Sequence, residues 1–355
     1  MHDSGCPVFE RCGGCSLRHL DEVAVAELKR QSIVSALAAT GLNAAVAPAR
    51  TIPERTRRRA KLAFTRTKKA HLLGYHAKAS HTVIGIDDCP LLAEPINAAL
   101  DGLAQIARIG APRSRTLSVA VTASETGLDV AIDEGKELDL EMRGALAAAA
   151  EKADIARLTW NGEPIATRRS PMHRFGKVLV APPPGAFLQA SAEMERMALE
   201  IIREELGAAE RVADLFCGCG TFTLPLLEQA SVIARDSDAA LIAALERGWR
   251  ETPGLKSLDA QPRDLFRRPM RAEELKSLDA VIFDPPRAGA DAQSRALAES
   301  AVPLIIGVSC NPTSFARDAA ILASGGYRLE RVVPIDQFRW SDHVELVAVF
   351  RAAGG

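Results

Sequence analysis

The sequence predicts an α/β protein in two parts: an α+β domain over residues 1–184, then a doubly wound, Rossmann-like domain over residues 185–355. Three observations support this fold class. A chain of 355 residues is too long for one ordinary core. The stretch Pro182-Pro183-Pro184-Gly185 is a rigid break in the chain. Short β-type segments precede this break, whereas helices alternate with buried strands after it.

The first domain has patterns typical of a mostly antiparallel sheet with helices. Its predicted strands are residues 60–65, 72–76, 82–86, 117–122, 128–132 and 178–181. Its predicted helices are residues 95–109 and 138–153. An earlier amphipathic helix over about residues 20–40 ends at Gly41 and is a candidate to pack on the second domain.

The second domain is predicted to contain strands 211–216, 232–236, 278–284, 304–309 and 344–350. The first strand leads into a glycine loop, Asp214-Leu-Phe-Cys-Gly218-Cys-Gly220-Thr221, and a helix is predicted from about Thr221. The second strand ends in Asp236, where a carboxylate can hold ribose hydroxyls. A dinucleotide site would need a third glycine where Thr223 stands, so the spacing favours a single-nucleoside ligand, S-adenosylmethionine, over NAD.

Three other candidate site residues stand at or after the ends of predicted strands or loops. Asp264 is placed to meet an adenine, although a surface acid fits its spacing nearly as well. Asp284-Pro285-Pro286-Arg287 resembles the signature of amine methyltransferases but has Arg287 in place of the aromatic residue, which favours a ring carbon as the methyl acceptor. Cys310 leaves the strand 304–309 toward the crevice where ligands bind in such sheets.

Methylation of a pyrimidine at C5 needs a thiolate that adds at C6 and a base that removes the C5 proton. Cys310 supplies the thiol. Glu345, in His343-Val344-Glu345-Leu346, is the candidate base, with His343 and Glu345 expected on one face of a strand. Partial burial is expected to raise the pKa of Glu345. Cys217 and Cys219 are interpreted as loop-packing residues.

Charge is unevenly distributed although the net charge is only −1. Between Arg50 and His81, Glu54 is the one acidic residue, whereas ten residues are basic: Arg50, Arg55, Arg57, Arg58, Arg59, Lys61, Arg66, Lys68, Lys69 and Lys78. A second basic stretch runs from Arg157 to Lys177. This segregation favours a nucleic-acid partner over a merely solvated pair of strands.

The N-terminus lacks the features of an export signal and no apolar run is long enough to span a bilayer, so we expect a cytoplasmic protein that does not bind membranes. Disulfides rarely persist in that compartment. The four thiols Cys6, Cys12, Cys15 and Cys89 are then candidate ligands, and coordination chemistry alone leaves zinc and an iron–sulfur cluster equally open.

Taken in order, these motifs resemble the RNA uracil-5-methyltransferase family over nearly the whole chain. The motifs are Asp214-Leu-Phe-Cys-Gly-Cys-Gly, Asp284-Pro-Pro-Arg-Ala-Gly, Ser309-Cys-Asn-Pro and Trp340-Ser-Asp-His-Val-Glu345. The segment Cys6-x5-Cys12-Gly-Gly-Cys15 with Cys89-Pro90 is similar to the family's iron–sulfur branch.

The resemblance implies Cys310 as nucleophile and Glu345 as base. It implies a cofactor pocket for S-adenosylmethionine and four ligands of a structural 4Fe–4S cluster. The pocket residues are Gln189, Phe216, Gly218, Gly220, Thr221, Asp236, Asp264 and Asp284, and the cluster ligands are Cys6, Cys12, Cys15 and Cys89. The expected RNA-side residues are Asp284, Arg287, Arg57, Arg58, Arg59 and Lys61.

Three departures from the family pattern stand out. Ser191 replaces the usual Asn in Phe187-Leu-Gln189-Ala-Ser191, and Arg18 replaces a common Gln. Only five residues precede Cys6, so we expect the family's small N-terminal β-barrel to be absent.

The resemblance favours 23S rRNA as the substrate over tRNA, and a monomer is the default. Two alternatives are an amine or cytosine methyltransferase and a non-catalytic iron–sulfur RNA-binding protein. The first lacks the expected aromatic residue or Pro-Cys motif, and the second has no use for Cys310 and Glu345.

Overall fold

The computed structural model describes residues 5–66 and 70–353, so Lys68 and Lys69 lie outside the described part. The helices are α1 Glu22–Ala39, α2 Glu94–Gly110, α3 Leu140–Lys152, α4 Ala192–Leu206, α5 Thr223–Leu226, α6 Ala239–Arg250, α7 Ala272–Leu275, α8 Asp291–Ala298 and α9 Pro312–Ser324. Within these residues, no helix combines the length and the apolar character that crossing a membrane requires.

Strands form two large sheets and one hairpin. In chain order the first eleven are β1 Ala45–Val46, β2 Arg50–Thr51, β3 Arg59–Arg66, β4 His71–His76, β5 Val83–Gly85, β6 Leu117–Ser124, β7 Gly127–Asp133, β8 Arg157–Trp160, β9 Glu163–Thr167, β10 His173–Phe175 and β11 Val178–Val180. The remaining seven are β12 Arg211–Leu215, β13 Ser231–Asp236, β14 Leu258–Pro262, β15 Ala280–Phe283, β16 Leu304–Ser309, β17 Tyr327–Asp336 and β18 Glu345–Ala352.

The C-terminal sheet has the doubly wound arrangement that the sequence predicts. Its order is β1-β17-β18-β16-β15-β12-β13-β14, and β2 also pairs with β17. Strands β12 to β16 are parallel, whereas β18 runs antiparallel between β16 and β17. The strand order reverses beside β12, because β13 and β14 lie on one side of it and β15 and β16 on the other. Such a reversal opens a crevice at the carboxyl ends of the strands.

The N-terminal sheet has the order β5-β4-β3-β6-β7-β8-β9, and among its described pairs only β7 and β8 are parallel. Alternate residues such as Leu62, Val119 and Val130 are buried in a core shared with α2 and α3. The sequence did not predict β8 and β9. Pro164 lies in β9, and proline is tolerated there because β9 is an edge strand.

Three segments before residue 185 belong to the C-terminal core, so the predicted division at residue 184 does not follow the packing. The short strands β1 and β2 pair with β17. The hairpin β10–β11 buries Phe175, Val178 and Val180 in the core of the second sheet. The predicted strand 178–181 therefore belongs to this hairpin and not to the N-terminal sheet.

Helix α1 also packs on the second domain, against α9 and β17, as anticipated. Asp21 caps it by accepting a hydrogen bond from the Ala24 amide (2.7 Å). Its buried face includes Lys29, which pairs with the buried carboxylate of Asp336 and donates to the Phe338 carbonyl (3.0 Å). This ion pair fixes the helix to the end of β17.

We expect Lys29→Met to lower the free energy of unfolding by about 3–5 kcal/mol, because it leaves the Asp336 carboxylate buried without a counter-charge. The double variant Lys29→Met/Asp336→Leu removes both charges and should recover most of the loss. Urea unfolding of the wild type and both variants measures the effect. Equal stability of the wild type and the single variant would show that the ion pair between Lys29 and Asp336 does not stabilise the fold.

Candidate active site

Several polar side chains meet at one edge of the C-terminal sheet. Asp284 follows β15 and Cys310 follows β16. Glu345 begins β18, and since β18 runs antiparallel to β16, its first residue lies at the same edge. A cavity of about 440 Å³ occupies this edge. It is lined by Phe187, Gln189, Phe216, Gly218, Asp236, Ser237, Leu241, Arg263, Leu265, Phe266, Asp284, Pro285, Pro286, Arg287, Cys310 and Glu345.

The glycine loop forms one wall of this cavity. Gly218 has a φ of +55°, and its amide donates to the Asp236 carboxylate (2.9 Å). Gly220 has a φ of +97°, and a Cβ there would lie 2.9 Å from the Leu224 side chain, so the position requires glycine. The helix begins at Thr223 and not at Thr221. Gly220 and Thr221 are not among the cavity-lining residues.

Thr223 occupies the position at which a dinucleotide site would have its third glycine. Its hydroxyl donates to the buried Asp214 carboxylate (2.6 Å). Burial raises the pKa of Asp214 to about 7, and its Oδ1 atom has no hydrogen-bond partner in the described part of the chain. Thr223, where the dinucleotide pattern has glycine, therefore stabilises the glycine loop by binding Asp214.

Cys310 lies two residues before the start of α9. Asn311 caps α9 by accepting from the Thr313 amide (3.0 Å), and its side-chain nitrogen donates to the Arg287 carbonyl (3.0 Å). The loops that carry Cys310 and Arg287 are thereby joined. Burial, then the nearby carboxyl groups of Glu345 and Asp284, raise the pKa of Cys310 to about 11. The thiol is protonated at neutral pH and must lose its proton before it can attack.

Two carboxyl groups of the cavity have strongly raised pKa values. Burial, then the charge of Asp284, raise the pKa of Glu345 to about 8. Burial likewise raises the pKa of Asp284 to about 7, although a hydrogen bond from Gln189 (3.2 Å) opposes the shift. Such values suit groups that exchange protons near neutrality. His343, expected on the face of Glu345, is instead exposed before β18, with its ring 5.9 Å from that of Phe338.

Asp264 does not line the cavity. Its carboxylate accepts hydrogen bonds from the amides of Phe266 (3.0 Å) and Arg267 (3.3 Å), and so stabilises its own turn. Phe266 lines the cavity in its place, with its ring 5.5 Å from that of Phe216. The sequence pattern gave no signal for Phe266, because an exposed aromatic residue in a loop has no periodicity.

The predicted RNA-side residues divide into two groups. The guanidinium of Arg59 lies 4.7 Å from the ring of the cavity residue Phe187, and Lys61 is exposed on the same strand. Arg57 lies over the Phe338 ring (5.4 Å). Arg58 is different: its guanidinium is largely buried and pairs with Glu195. This placement is that of a structural ion pair between the two domains and not of a phosphate contact.

Ion pairs neutralise much of the second basic stretch. Arg157 pairs with Asp129, Arg168 and Arg169 pair with Asp154, and Arg174 pairs with Glu125. This charge is less available to a polyanion than the sequence suggests.

The four cysteines in the N-terminal half of the chain line one mostly apolar cavity. Its wall contains Cys6, Cys12, Cys15 and Cys89 together with Val8, Phe9, Gly14, Arg57, Tyr75, Ile86, Asp88, Pro90 and Leu91. The Gly13 amide donates to the His76 carbonyl (2.8 Å), and a Cβ at Gly13 would lie 2.6 Å from that oxygen. The glycines of Cys12-Gly-Gly-Cys15 thus permit the close approach of two backbones.

Burial makes three thiols of this cavity harder to deprotonate. Burial raises the pKa of Cys12 and Cys89, and that of Cys15 to about 12, where the neighbouring Cys89 adds to the shift. Among residues 5–66 and 70–353, no group of three or more His, Cys, Asp or Glu residues is arranged to hold a metal ion. The predicted metal site is therefore not confirmed.

A solved structure shares this architecture over nearly the whole of this chain. The chain is similar to the tRNA (uracil-54, C5)-methyltransferase of Pyrococcus abyssi, solved in complex with S-adenosyl-L-homocysteine, with a TM-score of 0.74 and 24% identity over 96% of this chain and 84% of that one. At this identity the likeness establishes the fold alone. The chain thus has a mixed α/β methyltransferase fold.

Sequence relatives identify the family. An uncharacterized RNA methyltransferase of Brucella suis is 48% identical over 97% of this chain and 83% of its own length. The 23S rRNA (uracil(1939)-C(5))-methyltransferase RlmD of Pseudomonas putida is 33% identical over 99% of this chain and 80% of its own length. Residues 260–352 match the family described as tRNA (Uracil-5-)-methyltransferase. The chain belongs to the RNA uracil-5-methyltransferase family, which confirms the resemblance seen in its motifs.

Proposed function

We propose that this protein methylates C5 of a uridine in RNA, with S-adenosylmethionine as the methyl donor. The observation that carries the proposal is that the thiol of Cys310 and the carboxyl group of Glu345 line one cavity beside the glycine loop. A thiol alone, or a carboxyl group alone, does not suit C5 chemistry. Both are needed, because the reaction adds a nucleophile at C6 and later removes a proton from C5.

The proposed reaction has three steps on this chain's residues. The Cys310 thiol loses its proton to a neighbouring carboxylate, and the thiolate adds to C6, which makes C5 nucleophilic. C5 would then bond to the methyl group of the donor, whose bond to sulfur would break, leaving S-adenosylhomocysteine. Glu345 removes the C5 proton, the C5–C6 double bond re-forms, and the thiolate leaves. Asp284 is the candidate for the first proton, since its carboxyl group, like that of Glu345, raises the pKa of Cys310, and Glu345 is needed later for the C5 proton.

The residues present fit S-adenosylmethionine, which supplies an electrophilic methyl group when bound. A cavity of about 440 Å³ is in the range for a nucleoside-sized ligand. Gly218 offers open space where a Cβ would stand, and Asp236 lies at the end of the second strand of the fold. Phe216 and Phe266 provide apolar surface for an adenine ring.

For the substrate, we favour 23S rRNA, because the relative RlmD is named for that RNA and matches 99% of this chain. A uridine in tRNA is the alternative, and the description of the matching family favours it. Neither the cavity nor the basic residues distinguish the two RNAs, since phosphate contacts carry no sequence information.

The test uses total RNA from a deletion strain, incubated with the purified protein and methyl-labelled S-adenosylmethionine. We expect labelled 5-methyluridine after digestion to nucleosides. Fractionation should place the label in 23S rRNA, whereas label in tRNA supports the alternative. Label in 5-methylcytidine or an N-methylated nucleoside, with none in 5-methyluridine, would overturn the proposal.

We propose further that Cys6, Cys12, Cys15 and Cys89 bind a 4Fe–4S cluster with a structural role. The four thiols line one cavity whose wall is otherwise mostly apolar, and four cysteine thiolates are the usual ligands of such clusters. The cluster would tie the N-terminal segment to the loop that follows β5.

Anaerobically purified protein is expected to show broad visible absorbance, with about four iron and four sulfide ions per chain. The variant Cys15→Ser should lose both the absorbance and the iron, whereas Cys219→Ser, outside this cavity, should keep them. A colourless protein with one zinc ion per chain would contradict the cluster.

The exposed basic residues near the cavity are proposed to contact RNA phosphates. We expect Lys61→Ala to weaken RNA binding severalfold at low salt and to reduce the slope of log K against log salt by about 0.7. Lys152→Ala is the matched control, because it removes the same charge from an exposed lysine at the end of α3, which does not line the cavity. Filter binding over a salt series measures both. Equal slopes for the wild type and Lys61→Ala would contradict a phosphate contact.

A further inference from the structure

A chain of hydrogen bonds joins the two carboxyl groups of the cavity through two buried amides. The side-chain nitrogen of Gln337 donates to Glu345 Oε1 (2.8 Å) and to Gln189 Oε1 (3.0 Å). The side-chain nitrogen of Gln189 donates in turn to Asp284 Oδ2 (3.2 Å). Gln337 is only 3% exposed. The side-chain amide of Gln337 thus donates both to Glu345 itself and to Gln189, which in turn binds Asp284.

The fold holds Gln337 firmly in place. It is the first residue after β17, whose carboxyl end lies at the same edge as those of β15 and β16, because β17 and β16 both run antiparallel to β18. Lys29 binds the residues on both sides of Gln337. It pairs with the side chain of Asp336 and donates to the backbone carbonyl of Phe338. Gln337 therefore reaches Glu345 from a segment anchored by a buried lysine.

The loop after Gln337 is also held from the N-terminus. The Leu17 amide donates to the Trp340 carbonyl (2.8 Å), and the Trp340 indole donates to Glu54 (3.0 Å). Arg18 lies over the Trp340 ring (5.3 Å) and pairs with Glu54. The segment between β17 and β18 is thus fixed at several points before Glu345 begins its strand.

We propose that Gln337 is a positioning residue for the base Glu345: its amide holds the carboxylate toward the cavity and connects it to Asp284. The proposal rests on the proposed function. It goes beyond the nucleophile and base, because the sequence motifs give Gln337 no role.

An amide suits both protonation states of the base. Its N–H groups stabilise the carboxylate before proton removal. Gln337 Oε1, which is buried and has no hydrogen-bond partner among the described residues, is an acceptor for the O–H of Glu345 after a turn of the amide. The C5–H bond breaks, its electron pair re-forms the C5–C6 double bond, the thiolate leaves C6, and the proton stays on Glu345.

The expected pH effect follows from the groups around Glu345. The titratable groups that face it are Asp284 at the end of β15 and the Cys310 thiol after β16, and Arg287 lies near that thiol. Donation from Gln337 lowers the pKa of Glu345 against the larger effect of burial. Removing the donor raises that pKa further. Since the base acts when deprotonated, the rising limb of the rate must move to higher pH.

The test compares the wild type with Gln337→Met, which keeps the length of the side chain but removes its hydrogen bonds. In single turnovers the covalent RNA adduct should form at the wild-type rate but break down at least about tenfold more slowly at pH 7. The acid limb of the breakdown rate should shift upward in pH. Gln337→Leu provides a second variant, and binding of S-adenosylhomocysteine confirms that each protein is folded.

An unchanged breakdown rate and pH profile in both variants would overturn the role of Gln337, as would equal slowing of adduct formation and breakdown. This outcome differs from failure of the proposed function. In that case the wild type itself would form neither adduct nor 5-methyluridine.

Discussion

Replacing Cys310 by alanine should abolish methylation, with a loss of at least about 10⁴-fold in kcat, because no other group in the cavity can add to C6. The same variant should form no covalent complex with RNA. Cys217 and Cys219 do not substitute for Cys310, since both are buried and their pKa values are raised by burial. Single-turnover assays with labelled methyl donor and denaturing gels measure the two losses.

Two controls separate chemistry from folding. Cys310→Ser keeps the shape of the side chain but lacks a good nucleophile, and it should be equally inactive. Both variants should bind S-adenosylhomocysteine as the wild type does, because Cys310 follows β16, which β15 separates from β12, the strand that leads into the glycine loop. Methylation retained in Cys310→Ala would show that the reaction does not proceed through a bond between Cys310 and C6.

Replacing Glu345 by glutamine should leave the early steps intact and block the last one. We expect a methylated covalent adduct to accumulate and to break down about 10²- to 10⁴-fold more slowly, since glutamine cannot accept the C5 proton. Because the charge of Glu345 raises the pKa of Cys310, its removal should also lower that pKa. Alkylation of Cys310 should then be faster at a given pH.

Glu299→Gln is the matched control for this variant. Glu299 is exposed at the end of α8, in the same domain but outside the cavity. It should resemble the wild type in turnover and in alkylation of Cys310. A Glu345→Gln protein that turns over normally would show that another group takes the proton.

The sequence was most informative where chemistry requires particular residues at strand ends. Asp284 and Cys310 directly follow the apolar strands β15 and β16, Asp236 ends β13, and the structure brings all three to one edge. Glu345 was placed there too, but for a partly wrong reason. It is the first residue of β18, and His343 lies outside the strand.

The remainder depended on tertiary contacts that no local pattern contains. Strand β17 has buried and half-buried residues in succession and includes Pro334, so it was not predicted, and Gln337 at its end was missed with it. Recognition of β17 as a strand that runs in the same direction as β15 and β16 and ends at the same edge would have pointed to Gln337. Likewise, Arg58 and Arg59 are adjacent in sequence, and only the fold shows that Arg58 faces Glu195.

Buried ion pairs are another feature that the sequence pattern does not reveal. Lys29 lies on the inner face of α1, where the spacing of apolar residues predicts a hydrophobic side chain. Its partner Asp336 is 307 positions away along the chain. A pattern with a period of 3.6 residues cannot anticipate such a partner.

The central claim is that Cys310 bonds to C6 of a uridine whose C5 receives the methyl group. The most direct measurement offers the protein transcripts of 23S rRNA and tRNA made with 5-fluorouridine, together with S-adenosylmethionine. The carbon–fluorine bond cannot be broken by proton removal, so the adduct should be trapped after methyl transfer. Mass spectrometry of the digested complex should find one methylated fluoropyrimidine on the peptide that contains Cys310. A methylated RNA without any adduct, or an adduct on another cysteine, would contradict the account.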